Sequence, residues 1–350
     1  MRRRPLLFAG ALFAAGMRHA LALSPRPLQF PRDHGAHPDL RTEWWYITGH
    51  AAAGAREFGF QVTFFRSRVD STQAMNSRFA ARQLLFAHAA LTDVQGRKLW
   101  HDQRIARAGF GIAQAGEEDT LLRLRDWTLE RRGDTYLASI PSTDFSLQLA
   151  FRRTQPVLAQ GADGLSRKGP EAAQASYYYS MPQLETTGRL ALRGQQWDAR
   201  GRAWLDHEWS EALMHPQAVG WDWIGMNLDD GSALTAFRLR RADGSALWDG
   251  GSFRAADGSL RIAQPGQTRF VPGRRWSSPA TNASYPVEWE VHTLGGRYTV
   301  RAVIPNQELD SRASTGAIYW EGLADLMDAQ GRRVGRGYLE MTGYAQRLRL

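Results

Sequence analysis

The chain has 350 residues, no cysteine and a formal net charge of +9. Without thiols there is no disulfide framework, no thiolate metal site and no cysteine nucleophile. Its arginines are scattered rather than gathered into a stripe, which argues against a nucleic-acid partner, and the length suggests two domains.

The first residues, "MRRRPLLFAGALFAAGMRHALALS", set three arginines before an apolar stretch from Leu6 to Ala15. Ala20-Leu21-Ala22 follows as a small-x-small cleavage signal. The pattern predicts a signal peptide over residues 1–22, read by the general export route or, given the arginine run, by the twin-arginine route. Cleavage after Ala22 would remove Arg2, Arg3, Arg4 and Arg18 and take the charge from +9 to +5. The apolar stretch falls short of the ~20 residues of a permanent span, and nothing later in the chain is long and apolar enough. The expected location is periplasmic or secreted, with no transmembrane segment after cleavage.

Beyond the leader, apolar and polar residues alternate with period two between Gly and Asp-Gly punctuation. "EFGFQVTFFR", "RQLLFAHAALTD", "GSALTAFRLRRADG", "YPVEWEVHT" and "RYTVRAVIP" are examples. Each reads as a half-buried strand ending in a turn. Helical patterns are scarce; "SEALMHPQ" predicts at most one turn before Pro216. The expected fold is all-β, built as sandwiches or barrels. The stretch 157–176 reads as a long loop, and a boundary is expected near residues 185–205. That divides the chain into units 23–200 and 201–350. A weak echo supports a duplicated barrel: Glu43-Trp44 opens a hairpin ending in "TFFR", and Glu208-Trp209 precedes one ending in "TAFRLR".

Alternate residues of a strand share a face. "RTEWWYITGH" therefore puts Trp44 and Tyr46 on one side, Glu43 and Trp45 on the other. "QLLFAHAAL" places His88 beside Phe86. In "GRAWLDHEWS", Leu205, His207 and Trp209 oppose Trp204, Asp206 and Glu208. "GWDWIGMNLDDG" separates Trp221 and Trp223 from Asp222, and "AIYWEGLADL" sets Glu321 directly after Trp320. Four of these strands thus carry ionisable residues next to tryptophan, and the fifth carries His88 beside phenylalanine. A plain core would use Leu, Ile and Val, which need no hydrogen-bond partner. Aromatic walls with a few polar groups describe a pocket for an apolar ligand. The competing reading is that these pairs lock strand ends or a domain interface and that His207 is a satisfied core histidine. On the pocket reading, His207 and Trp209 face the cavity with Trp221 or Trp223, while Asp206 and Glu208 tie strands together on the opposite face. His34, His37 and His50 lack zinc-type spacing and HExxH is missing, as is the G-x-S-x-G nucleophile elbow. No metal and no cofactor is expected.

The strings "HPDLRTEWWYITGH", "FQVTFFR", "FAHAALTD", "YYYSMPQLETTGRL", "GRAWLDHEWS", "GWDWIGMNLDDG", "YWEG" and "GYLEMTGY" resemble the AttH-type lipocalin-like proteins. That superfamily includes the carotenoid 1,2-hydratases (hydroxyneurosporene synthases). The resemblance runs in order from about His34 to Tyr344. It implies two tandem lipocalin-like antiparallel β-barrels holding an elongated apolar ligand, isoprenoid- or lipid-like, near their junction. It implies ligand contacts from Trp44, Trp45, Tyr46, His88, Tyr178, Trp209, Trp221, Trp223, Trp320 and Glu321. It also gives the His-x-Trp pair, here His207 and Trp209, a polar role. The hydratases' Tyr-x-Asp has no counterpart in "SALTAFRLR", which leaves Asp206, Glu208 and Asp222 as candidate acids beside His207. Two functions follow as expectations. One is a periplasmic binding protein accessory to an ABC transport system, with its permease as partner. The other is a hydratase that adds water to an isoprenoid double bond through protonation. A two-barrel scaffold without ligand is the third possibility.

Overall fold

The computed structural model describes residues 22–348; residues 1–21, on which the export expectation rests, lie outside them. The fold is all-β, as the alternation predicts. Helical geometry among the described residues is confined to two 3-10 turns, Arg32–His34 and Asp70–Thr72. The turn expected in "SEALMHPQ" is not helical: the strand runs on to Ala212 and the chain then reverses near Pro216.

Two large antiparallel sheets follow one another along the chain. The first has thirteen strands and forms a nearly closed barrel. Strands Lys98–Arg107, Gln83–Asp93, Arg56–Arg68 and Thr42–Ala53 lead to Gln195–Ala212, then Ala175–Leu192, and back through the short hairpins of residues 113–152. The second has ten strands, with Gly220–Leu228 between Ala233–Arg240 and Arg333–Met341, and Ala317–Met327 next to the last. Each sheet encloses its own apolar core. Phe58, Phe60, Val62, Leu147, Leu149 and Leu205 fill the first, and Ile224, Met226, Trp289, Trp320 and Leu339 the second.

Burial patterns distinguish two kinds of strand. Phe145–Arg152 alternates buried and accessible residues, with one face on a core and the other toward water. Ala317–Met327 and the middle of Thr42–Ala53 are buried on both faces, because here the outer wall of one barrel packs on the other. A third apolar cluster, including Tyr46, Trp204, Trp223, Phe237, Leu323 and Tyr338, occupies this seam. Polar side chains stitch it. Gln183 donates three times, its N–H to Asn227 Oδ1 at 2.8 Å and its amide to the carbonyls of Leu228 and Ser232 at 2.9 Å each, while its Oε1 accepts from Arg202 at 3.0 Å.

The boundary expected at 200/201 is corrected. Residue 200 is mid-strand in Gln195–Ala212, and the chain crosses between sheets at residues 213–219. Residues 185–202 look like a linker because they form the water-facing half of a hairpin of two 18-residue strands. The stretch 157–176 is likewise more than a loop, since Leu158–Ala159 and Leu165–Arg167 pair with Ala175–Leu192.

Candidate functional site between the barrels

Cross-strand register determines which side chains meet at the seam. Trp44 lies opposite Glu208, and Tyr46 opposite Asp206. Tyr178 is the other neighbour of Glu208, and the row continues through Thr63 to His88. From the second barrel, Trp223 is opposed to Glu340, and Glu340 to Glu321. Apart from Thr63, these residues, with Trp221, Phe237 and Tyr319, line a cavity of about 300 Å³ whose surface is mainly apolar.

Nine of the residues singled out from sequence therefore converge: Trp44, Tyr46, His88, Tyr178, Asp206, Glu208, Trp221, Trp223 and Glu321. Five do not. Trp45, His207 and Trp209 point into the first barrel's interior, Trp320 into the second's. Asp222 faces away from the cavity, held by Arg238 at 2.7 Å, Arg240 at 3.1 Å and the Tyr344 hydroxyl at 2.9 Å. The expected orientation of "WLDHEWS" is thus reversed: Asp206 and Glu208 face the cavity, His207 and Trp209 do not. Alternation separated the two sets but did not identify the ligand side, because a wall between two packed barrels is buried on both faces.

Inside the first barrel, His207 belongs to a polar network. Its Nε2 bonds Glu43 Oε1 at 2.9 Å and its Nδ1 the Tyr179 hydroxyl at 3.1 Å. His37 Nδ1 reaches the same Glu43 oxygen at 2.7 Å, and Arg66 Nε reaches Oε2 at 2.8 Å. Burial alone would raise the Glu43 carboxyl; the bonds from His207 and His37 outweigh it and hold it well below the usual range. His37, Glu43 and His207 bring one potential metal-ligand atom each within 4.8 Å of one another, a grouping that sequence spacing did not reveal. With both imidazoles and Arg66 on one carboxylate, the set is already a closed charge network.

The cavity contains a different kind of chemistry. Asp206 accepts hydrogen bonds from Tyr178 at 2.7 Å, Ser180 at 2.5 Å and Trp204 Nε1 at 2.6 Å. Burial prevails over these three donors and pushes its carboxyl up to about 7. Glu208 takes Lys168 Nζ at 3.1 Å and a hydrogen bond from Ser176. Glu321 accepts from the Gln61 amide at 2.9 Å, and burial followed by the neighbouring Glu340 raises it well above the usual range. Burial pushes Glu340 itself up to about 7. His88 is held by Tyr319 and Ser314 at 2.8 Å each, and burial lowers it to about 3, so it is neutral. Tyr46 Oη, Gln61 Oε1 and Glu321 Oε1 are buried without a hydrogen-bond partner; the Tyr46 hydroxyl lies toward Glu321 without closing a bond.

Lys168 and Glu340 were missed from sequence. Lys168 sits in "SRKGP", where no periodicity points, yet it is one of only two lysines in an arginine-rich chain. Its ammonium lies 4.5 Å and 4.3 Å from the Tyr178 and Phe237 ring centres. Glu340 lies between Leu339 and Met341, an acid at the apolar end of a strand whose other half carries Arg333 and Arg336. A second cavity of about 300 Å³ lies at Phe30, His34, Tyr136 and Met181, with Arg131, Asp134 and Arg153 in its wall. Its charged wall suits an apolar ligand less well.

Three solved structures resemble this one. A Nitrosomonas europaea protein assigned to AttH is 45% identical, with 93% of this chain and 99% of that one covered and a TM-score of 0.87. Kievitone hydratase from Nectria haematococca is 13% identical over 91% of this chain and 94% of its own, with a TM-score of 0.69. CghA with Sch210972 is 13% identical over 86% and 88%, with a TM-score of 0.50. The last two share the fold. Among curated proteins no sequence match was found. The AttH-like family model matches residues 21–344, so the chain belongs to the AttH-like family and carries its lipocalin-like, two-barrel fold.

Proposed function

We propose that the protein binds an elongated apolar small molecule between its barrels and adds water across one of its carbon–carbon double bonds by acid catalysis. The observation that carries this reading is the set of buried carboxyls with raised proton affinity, Asp206, Glu321 and Glu340, in an aromatic-walled cavity. An acid that keeps its proton near neutrality is what protonation of an alkene requires. The rings of Trp44, Trp221 and Trp223 offer π-faces to the cation that results. Kievitone hydratase, a hydratase by name, has the same fold. Incubation with acyclic isoprenoids in heavy-oxygen water, followed by mass spectrometry, tests the reading. The expected product gains one water carrying the label; ligands that bind and return unchanged would contradict it.

A second reading is a carrier without chemistry, accessory to an ABC permease. Its support is Asp206, whose two oxygens are taken up by three donors and so serve as scaffold. Under either reading the protein is proposed to work in the periplasm or outside the cell. Residues 1–30 fused to a reporter active only after export should give signal, and Gln in place of Arg2, Arg3 and Arg4 should reduce it. A silent reporter would count against export.

A further inference from the structure

Glu321 and Glu340 are directly opposed on the paired strands Ala317–Met327 and Arg333–Met341, and both line the cavity. Side chains so opposed have Cβ atoms roughly 5 Å apart, and like charges there are destabilising. Among the described residues neither carboxyl has an ion-pair partner. The two cations of the cavity wall are engaged elsewhere, Arg66 with Glu43 and Lys168 with Glu208. Glu321 has one hydrogen bond, from Gln61, and its Oε1 has none; the donor near Glu340 is the Trp221 indole. Asp206, by contrast, is held by three donors. Two adjacent carboxyls cannot both stay ionised away from water while no cation is near, so one proton rests with the pair until a cation forms beside it.

We propose that Glu321 and Glu340 hold one proton in common and deliver it to the cavity's occupant, an apolar alkene. This rests on the hydration reading above and assigns its acid. In the step, the π pair of the double bond takes the proton to form a C–H bond, leaving a carbocation against the aromatic wall and a glutamate pair without its proton. A water lone pair then forms the C–O bond, and the proton that water loses returns to the pair. Alkene and water give an alcohol, and nothing is oxidised or reduced. Asp206 is a positioning residue on this assignment, fixing Tyr178 and Trp204. The groups that face the pair are Tyr46 from the first barrel, Tyr319 and Tyr338 from the second, and Asp206 and Glu208 across the cavity.

Two measurements on the whole chain test this. The first is an NMR titration of protein labelled at the glutamate side-chain carboxyls, for the wild type, Glu321→Gln and Glu340→Gln. A shared proton gives a two-step titration in the wild type, with one step near neutrality or above. Each substitution should leave a single step, moved to lower pH by loss of the like-charged neighbour. Two glutamates that ionise independently, each indifferent to replacement of the other, would overturn the proposal. The second uses acridine, an apolar base whose fluorescence changes on protonation. At a pH where free acridine is neutral, the wild type should bind it as the cation, and the double variant Glu321→Gln/Glu340→Gln should bind it with loss of the cation emission. Acridine bound in neutral form by the wild type would overturn the donor role. Acridine that does not bind at all would instead remove the reading of the cavity as an apolar site, and the titration would still decide whether the proton is shared.

Discussion

His207 is one of two imidazoles that hold the fully buried Glu43 carboxylate, and it stacks on Trp45 with ring centres 4.6 Å apart. Replacing it by alanine leaves Glu43 with His37 and Arg66 only. Breaking a buried charged network in this way costs about 2–4 kcal/mol. His207→Ala should therefore melt early while apolar ligand binding is unchanged, which reverses the expectation from strand alternation. Thermal melts and a binding isotherm on the same variant check both halves. Asp206 behaves differently, because its carboxyl moves from 3.8 to about 7. The folded chain keeps this proton to higher pH than the unfolded chain does. The group's contribution to stability is thus present below pH 4 and is lost as pH rises toward 7. From pH 5 to 8 the wild type should lose about 2 kcal/mol more than Asp206→Asn. Comparing slopes rather than absolute stabilities removes the constant cost of disturbing Tyr178, Ser180 and Trp204. Parallel slopes would show that Asp206 is ionised in the folded protein at neutral pH.

Strands were the most legible feature, because alternation with turn punctuation survives any packing. "EFGFQVTFFR" and "QLLFAHAALTD" fall within Arg56–Arg68 and Gln83–Asp93. Two things were hidden. The long hairpin of Ala175–Leu192 and Gln195–Ala212 has a buried half and a water-facing half, and the latter has the composition of a linker. Strands covered on both sides also carry no mark of which side meets a ligand, so Trp44 and Trp45 read alike until the second barrel is placed. The seam itself depends on a bulge. Between Met181 and Leu184 the register shifts, and Gln183 sits at a positive φ of 57°. From there its side chain reaches Leu228 and Ser232 in the other barrel. Truncation leaves those carbonyls with only their backbone donors, Gly231 and Leu228, and each hydrogen bond lost costs about 0.5–1.5 kcal/mol. Gln183→Ala should lower the melting temperature and broaden the transition by loosening one barrel from the other. A calorimetric trace with unchanged width would mean that the apolar seam alone couples them.

At the scale of the molecule, each barrel encloses its own apolar core, and the mainly apolar cavity lies between them. A ligand there touches both halves and should stabilise the pair together. At a hundredfold excess over its Kd, the gain is about 2.7 kcal/mol. Charge and aromatic content made an aromatic-walled cavity legible in sequence; its location was not, since Glu340 and Lys168 reach it only through the meeting of strands far apart in the chain. Photoaffinity labelling with an apolar diazirine probe and peptide mapping locates the site directly. Label should appear on the segments carrying Trp44 and Tyr46, Trp221 and Trp223, and Tyr319 and Glu321. Label confined to Phe60, Leu147 or Leu149 inside the first barrel, or to His34 and Tyr136 at the second cavity, would contradict a site between the barrels.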